Sequence, residues 1–426
     1  MSVGSERRGS HGRPRATMRE ALAVREFRGM VLAQIASEAG DQVARVALAL
    51  LVLSHTGSPL LAAGTFAISF VPSLLGGALL GPLADRFSRR SLMLATDLGR
   101  AALVALLALL ALPGVPLWVL FVLLVVAELL SPLFASARAA TMPEVLGSVS
   151  LVVTGASITR ALSLANQALG LVLGGLVVQL TSPRVALLLD ATSFLVSFAV
   201  LAVTLKPRPA AVDSTPSLPL LLADLRRGWS VLVSDPSRRS LVWLGWSMAI
   251  PLVAPEAVAL AYARDQGASD GWGGFLMATV VVGAALGAVL VARRSPREQL
   301  DLVLPLAMLM SLPLLLTGIE PPLWLLAALW FVSGAAQAFL VPVMSFTTLL
   351  TANEQRGSVV GIASAGFSLI TALGYLASGW VAELTSPAFA VVVMAVLGLV
   401  AAGAAYVLWP AASLRADVRR VEESGL

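Results

Sequence analysis

Polar residues in this chain of 426 are not spread at even spacing among apolar ones; they are pushed into the gaps between long apolar runs. A helix needs about 20 apolar residues to cross the hydrocarbon core of a bilayer. Twelve runs reach that length, near 26–53, 59–82, 91–111, 116–139, 152–180, 184–205, 240–264, 272–292, 300–318, 322–349, 357–384 and 386–409. The pattern predicts an all-α polytopic membrane protein with twelve transmembrane helices. The longest interruption, Lys206 to Arg239, divides the runs six and six. We therefore expect two pseudo-symmetric six-helix bundles, 26–205 and 240–409, a cytoplasmic linker at 206–239, and cytoplasmic tails at 1–25 and 410–426. The linker opens on Lys206-Pro-Arg-Pro. From Leu218 to Val233 its apolar residues fall at helical spacing opposite Asp224, Arg226 and Arg227, which predicts a helix lying on the membrane surface.

Composition removes the soluble alternatives. Hydrophobic residues make up 58% of the chain and charged ones 12%, too few charges to cover the surface of a soluble fold of this size. The formal charge of +5 comes from arginines in alternate connections, a set that includes Arg86, Arg89, Arg90, Arg226, Arg227, Arg238, Arg239, Arg293, Arg294, Arg356 and Arg415. The other connections hold almost no cation beyond Arg184, and Arg264 borders them. With an even number of crossings, this asymmetry places both termini in the cytoplasm. The basic stretch Met1 to Arg28 has no apolar core of a signal peptide and reads as a tail. There is no cysteine, and the two histidines, His11 and His55, lie outside the apolar runs. Thiolate chemistry and a histidine metal site are thereby excluded. No nucleophile cluster or phosphate-binding loop is present, so an enzyme is not expected, no cofactor is implied, and energy must come from an ion gradient. Expected partners are a small-molecule substrate and membrane lipid, without nucleic acid, on a monomer.

Between the second and third runs stands Gly81-Pro-Leu-Ala-Asp-Arg-Phe-Ser-Arg-Arg90. This pattern resembles the signature loop of the major facilitator superfamily of secondary transporters, with Ser88 where the family usually has glycine. The resemblance spans about 26–409. The stretches AGDQVARVAL, FASARAATMPEVL and LLLDATSFLVSF look like the bacterial branch that contains macrolide-type and siderophore efflux proteins. It implies a conformational-switch loop made of Gly81, Asp85, Arg86, Arg89 and Arg90, with Asp97, Arg100 and Arg138 joining a cytoplasmic network around Asp85. In the fifth run, Gly170, Gly174 and Gly175 resemble an antiporter motif in which Leu171 replaces proline; a plain close-packing surface would read the same. A second copy of the loop, Gly287 to Arg294, lacks the aspartate. An arginine followed by glycine, expected of antiporters in mid segment four, is absent, and Glu128 occupies that region.

Ionisable groups at bilayer depth cost about 2.5–3.5 kcal/mol each on insertion scales, so each needs a partner or a wet cavity. Segment one carries Glu38, Asp41 and Arg45 together with Gln34 and Gln42. Asp41 and Arg45 are expected to pair at i,i+4, which leaves Glu38 without a cation in its own helix and makes it the candidate proton carrier. Glu128 lies at similar depth, and Arg160 is placed to reach Glu38 or Glu128. Asn166 and Gln167 stand at mid-depth in segment five. In the other half, Glu256 follows Pro251 and Pro255, and with Gln337 and Trp330 is expected to line a substrate cavity. Asp190 and Glu383 read as structural groups near the outer surface. Proton coupling is thus assigned to Glu38, Asp41, Arg45, Glu128 and Arg160, and the substrate cavity to Gln34, Asn166, Gln167, Glu256, Trp330 and Gln337.

The favoured function is proton-coupled export of amphipathic or hydrophobic small molecules by alternating access from the bacterial cytoplasm. Proton-coupled import of a small metabolite competes with it. A lipid scramblase or a non-transporting membrane receptor on the same scaffold is a further alternative from another class.

Overall fold

The computed structural model describes residues 17–72, 87–112, 114–208 and 218–423, and every regular element among them is helical. We label the spans α1 (Arg25–Thr56), α2 (Pro59–Ile68), α3 (Arg89–Leu110), α4 (Leu117–Leu146), α5 (Val149–Leu180), α6 (Pro183–Thr204), α7 (Pro236–Asp265), α8 (Asp270–Ala292), α9 (Pro296–Ile319), α10 (Leu323–Leu349), α11 (Asn353–Leu384) and α12 (Pro387–Leu408). Ten of these, α3 to α12, are long and apolar enough to cross a membrane. α1 is equally long but carries more charge, and α2 opens the second apolar run. Large apolar side chains such as Val407 and Leu408 stand outward, 80% and 76% exposed. That is an acceptable state only where the solvent is lipid.

The helix starts are written into the chain. α2, α6, α9 and α12 each begin with Ser-Pro, and α7 begins with Asp-Pro. Proline at the first helical position needs no N–H partner, and the preceding Ser or Asp accepts a hydrogen bond from a backbone N–H inside the first turn. Ser58 Oγ, for instance, accepts from Leu61 N at 3.1 Å. Gly57 turns the chain between α1 and α2 with φ 68°, a left-handed conformation that suits glycine.

In the first half, α1 packs on α5 and α6, α3 on α6, and α4 on α3; in the second, α7 packs on α8, α11 and α12, and α8 on α10. Extensive contact between the halves runs through two pairs, α5 with α8 and α2 with α11. Both meet toward the end where α2 begins and α11 finishes. Gly174 lets α5 lie on α1, since an added Cβ would come 2.9 Å from Val46 Cβ. One turn away the crossing with α8 is tighter: a Cβ on Gly274 would sit 2.4 Å from the Leu171 carbonyl oxygen. The glycine stripe of segment five is thus a packing surface on both sides, and Leu171 is fully buried in it. In the second contact, Tyr375 of α11 stacks on Phe66 at 5.6 Å and leans on Phe70 at 5.7 Å. Glu383 closes that pair: it accepts from the Ser58 hydroxyl and, at 3.2 Å, from Leu60 N, capping α2 from the opposite half. Glu383 is therefore at the expected end, and what it does there is join the halves.

Two further helices flank the second half. The linker forms a helix, Leu218–Ser234, laid against α7 and α11, with Trp229 stacked on Trp246 at 6.2 Å and Leu232 buried. The C-terminal helix Ala411–Glu423 buries Leu414 and Val418, and Ser237 Oγ donates to Asp417 Oδ2 at 2.7 Å. Gly287, read as the start of a degenerate loop, lies inside α8 against the Ala335 backbone of α10.

Because no side chain fits between α5 and α8, Gly274→Val is expected to lower stability by about 1–3 kcal/mol through overpacking. Thermal unfolding of the detergent-solubilised protein checks this; an unchanged midpoint would mean that the two halves do not meet there.

Candidate functional site

The charged groups at membrane depth fall into two clusters, and neither is arranged as the spacing along segment one predicts. Asp41 and Arg45 do not pair with each other. Arg100 of α3 donates to Asp41 Oδ1 at 2.6 Å, and Arg45 donates to Glu128 Oε1 of α4 at 3.3 Å. A partner on a neighbouring helix wins because both guanidiniums can then face the interior of the bundle, where four helices bring carboxylates together. Arg100 is held from its other side by Phe194, whose ring centre lies 4.1 Å from the guanidinium carbon. Ser69 Oγ donates to Glu128 Oε1 at 2.9 Å.

These groups line a cavity of about 30 Å³ enclosed by α1, α3, α4 and α6, with Asp190 of α6 on its wall. The volume suits a water molecule and is far below what a substrate needs. Asp190 is 1% exposed, and it accepts a hydrogen bond from Ser193 Oγ at 3.1 Å, in its own helix. It lines the same cavity as Asp41 and Arg100. It is thus a member of the cluster, seven residues inside α6, about 10 Å at 1.5 Å per residue. Asp97 stands one turn away on α3, fully buried, accepting from Ser197 Oγ at 2.6 Å, with Oδ1 unpartnered. Asp97 and Arg100 therefore face the middle of the bundle, not the expected network at the loop end.

The second cluster joins α1, α4 and α5. Arg138 donates to Glu38 Oε1 at 3.2 Å, and Gln34 Nε2 faces three acceptors, Glu38 Oε2, Thr159 O and Ser163 Oγ, each at 3.0 Å. Glu38 has no cation in its own helix, as expected, but its partner comes from α4: Arg138, expected at the loop-end network, is long enough to reach it from the inner part of that helix. Arg160, expected to fill that place, is exposed and makes no ion pair among the described residues. Asn166 Nδ2 donates to Gln34 O at 3.2 Å. Gln34 and Asn166 are both buried, and their contacts tie α1 to α5. Gln167 is half-buried, with no hydrogen bond among the described residues.

Across the halves, Glu256 of α7 faces the Tyr375 phenol and, beyond it, Arg45. Arg45 thus interacts electrostatically with a carboxylate of each half, Glu128 and Glu256. Gln337 is half-buried and reaches the Leu252 carbonyl at 3.5 Å. Trp330 is a core residue: it is fully buried, its Nε1 donates to Thr317 Oγ1 at 3.1 Å, and its ring lies 6.1 Å from that of Tyr262. Of the switch loop, Gly81, Asp85 and Arg86 lie outside the described residues. Arg89 donates to Ala140 O at 3.0 Å and to Glu144, and Arg90 donates to Ala202 O at 2.7 Å, fixing the start of α3 to α4 and α6. No group of His, Cys, Asp and Glu among the described residues is arranged to hold a metal ion.

The sequence matches the profile of the Major Facilitator Superfamily over residues 30–318 and 240–424. It is 26% identical over 366 residues to the multidrug efflux pump Tap of Mycolicibacterium fortuitum, covering 83% of this chain and 88% of that one. It is 28% identical over 130 residues to an uncharacterized MFS-type transporter of Mycobacterium tuberculosis, and that match spans 30% of each chain. Among solved structures, the nucleoside transporter NupG superposes with a TM-score of 0.71 at 14% identity, covering 90% of this chain and 99% of that one. A bacterial homologue of the iron transporter ferroportin gives 0.66 at 15% identity, with 91% and 98% covered.

The cluster makes opposite predictions for two aspartates. Asp41→Asn leaves Arg100 buried without its counter-ion and is expected to destabilise by about 3–5 kcal/mol. Asp190→Asn removes a carboxylate that has no cation of its own and is expected to be neutral or stabilising. Thermal unfolding of both variants measures the difference; equal losses would contradict the pairing described.

Proposed function

Because the chain belongs to the Major Facilitator Superfamily, and so is an integral membrane transporter and not an enzyme, we propose that it exports amphipathic or hydrophobic small molecules across the bacterial inner membrane in exchange for protons. One observation carries the coupling: four carboxylates (Asp41, Asp97, Asp190 and Glu128) share the middle of the first bundle with two guanidiniums, Arg45 and Arg100. Two uncompensated negative charges in a nearly sealed interior cost several kcal/mol each, so bound protons must offset them. A site that has to hold protons in one conformation and is hydrated in another is a coupling site. The proton role falls to Asp97 and Asp190, the two carboxylates of the set with no ion-pair partner; Asp41 and Glu128 are balanced by Arg100 and Arg45. Glu38 is balanced by Arg138 and serves, with Gln34, to lock α1 to α5.

Arg45 links that store to the substrate path. In the closed arrangement it bonds Glu128 and faces Glu256 and Tyr375 of the other half. Protonation within the carboxylate set changes the field at Arg45, and opening of the α2–α11 contact weakens its interaction with Glu256. With both termini in the cytoplasm, the orientation that the alternation of arginines supports, the joined end of the halves is the external one. Substrate then binds between the halves near Gln167, Glu256 and Gln337, against largely aliphatic walls. Such a surface suits an apolar or weakly cationic molecule, in keeping with the similarity to a multidrug efflux pump.

Everted membrane vesicles energised to an acidic interior test this. Wild-type protein is expected to accumulate a lipophilic cationic dye, and nigericin, which collapses the pH gradient, is expected to release it. Asp190→Asn should abolish accumulation while leaving the dye's binding to purified protein within about threefold, since the group stores the proton and does not touch the dye. Glu38→Gln should retain most of the transport. Accumulation that survives collapse of the gradient, or that survives Asp190→Asn, rejects proton exchange at this cluster.

A further inference from the structure

We propose that a groove between α9 and the C-terminal helix is a binding site for an anionic phospholipid, with the phosphate held by Arg415 and Arg419. The inference is independent of the transported substrate.

The groove has two connected parts. One, of about 260 Å³, is walled by Arg297, Arg415 and Arg419 over the apolar floor of Leu300 and Val418. The other, of about 430 Å³, continues past Asp301 and Arg415 along Leu304, Pro305, Tyr406 and Trp409. Cationic and apolar ends are thus joined in one trough, the shape of a headgroup followed by an acyl chain. The trough lies at the end of the bundle that carries Arg238, Arg239, Arg293 and Arg294, where a membrane protein meets anionic headgroups. Its apolar end lies beside the last turn of α12, where Tyr406 is 66% exposed. Tyr406 and Trp409 have the ring chemistry of the headgroup boundary.

Charge complementarity selects the occupant. Arg415 is 63% exposed and its partner there is Asp301, itself 58% exposed, at 3.1 Å. An ion pair this exposed contributes little to stability, so a phosphate can share Arg415 at small cost. Arg419 makes no ion pair among the described residues. Arg420, on another face of the same helix, is bonded to Asp417 and does not line the groove. A free inorganic anion would have no use for the trough of Leu304, Tyr406 and Trp409, and a zwitterionic lipid would bring a cation of its own to a groove that already carries Arg415 and Arg419. The C-terminal helix is also tied to α7 through Ser237 and Asp417. A lipid held here would therefore bridge α9 and that helix on one side of the second half.

Native mass spectrometry of the full-length protein in detergent, titrated with dioleoylphosphatidylglycerol or dioleoylphosphatidylcholine, tests the site. The glycerol lipid is expected to bind preferentially to wild-type protein. The double variant Arg415→Gln/Arg419→Gln should weaken that binding by about 10- to 30-fold, as expected for the loss of two surface arginines near a lipid phosphate. Asp301→Asn, which removes the competing carboxylate, should tighten it, and Arg420→Gln should leave it unchanged. Equal binding of both lipids, undiminished binding by the double variant, or displacement of the glycerol lipid by inorganic phosphate at comparable concentration would overturn the proposal. The Asp301→Asn arm keeps the test decisive if the double variant is poorly folded.

Discussion

The constraint from which the rest follows is that charges placed in hydrocarbon have to find one another. Arg100 with Asp41 and Arg45 with Glu128 are the two pairs that bind α1 to α3 and α4 in the middle of the bilayer. Breaking either would leave a bare ion in a medium that solvates it badly. They fix the rotation of α1 about its axis, because its acidic face must turn to the inside of the bundle. That rotation in turn presents Ala39 and Gln42 to the close approach of Gly170 on α5, and aims Arg45 toward the other half. Ion pairing, helix packing and the position of the central arginine are one solution to one problem.

The two halves solve their packing differently. In the first, polar glue is abundant: Gln34 alone faces three acceptors, and Arg138 closes the same cluster. In the second, cohesion comes from small residues and rings. Gly283 and Gly287 lie against the α10 backbone, Gly374 against α7, and Trp330 fills a core beside Tyr262. Apolar packing of this sort has no titratable state, whereas the first half concentrates buried carboxylates and guanidiniums, with Glu256 their counterpart across the joint. The pseudo-symmetry of the fold therefore does not extend to its chemistry.

Much of this architecture is legible in the sequence. Apolar run length fixes the number of helices, because the bilayer allows little else. The Ser-Pro and Asp-Pro pairs mark where five of them begin. The depth of Asp41, Arg45, Glu128 and Glu256 can also be read from their distance along each run. Partner choice is not legible. Spacing within one helix favours Asp41 with Arg45, but it carries no information on whether a guanidinium on the next helix competes, and Arg100 does. Asp190 escapes a sequence reading for a related reason. Its distance from the start of α6 suggests the outer surface, while the residues that surround it come from α1 and α3 and are remote in sequence. Arg138 shows the same limit from the other side, since a long side chain uncouples the position of a Cα from that of its charge. Trp330 reads as a cavity aromatic because ring type alone does not distinguish a wall from a core.

Arg45 is where these differences meet. A membrane-buried arginine bonded only within its own bundle would be a structural brace. Here its guanidinium donates to Glu128, and its charge also interacts with Glu256 and Tyr375 of the other half; Tyr375 is itself packed against Phe66 and Phe70 across the joint. The arginine therefore carries an electrostatic link from one half to the other, and separating the halves weakens that link. No element has to unfold for this to happen. The flanking contacts need only be weak enough to yield. The stacked rings and the Glu383 cap on α2 have that character, since neither buries an unpaired charge when it opens.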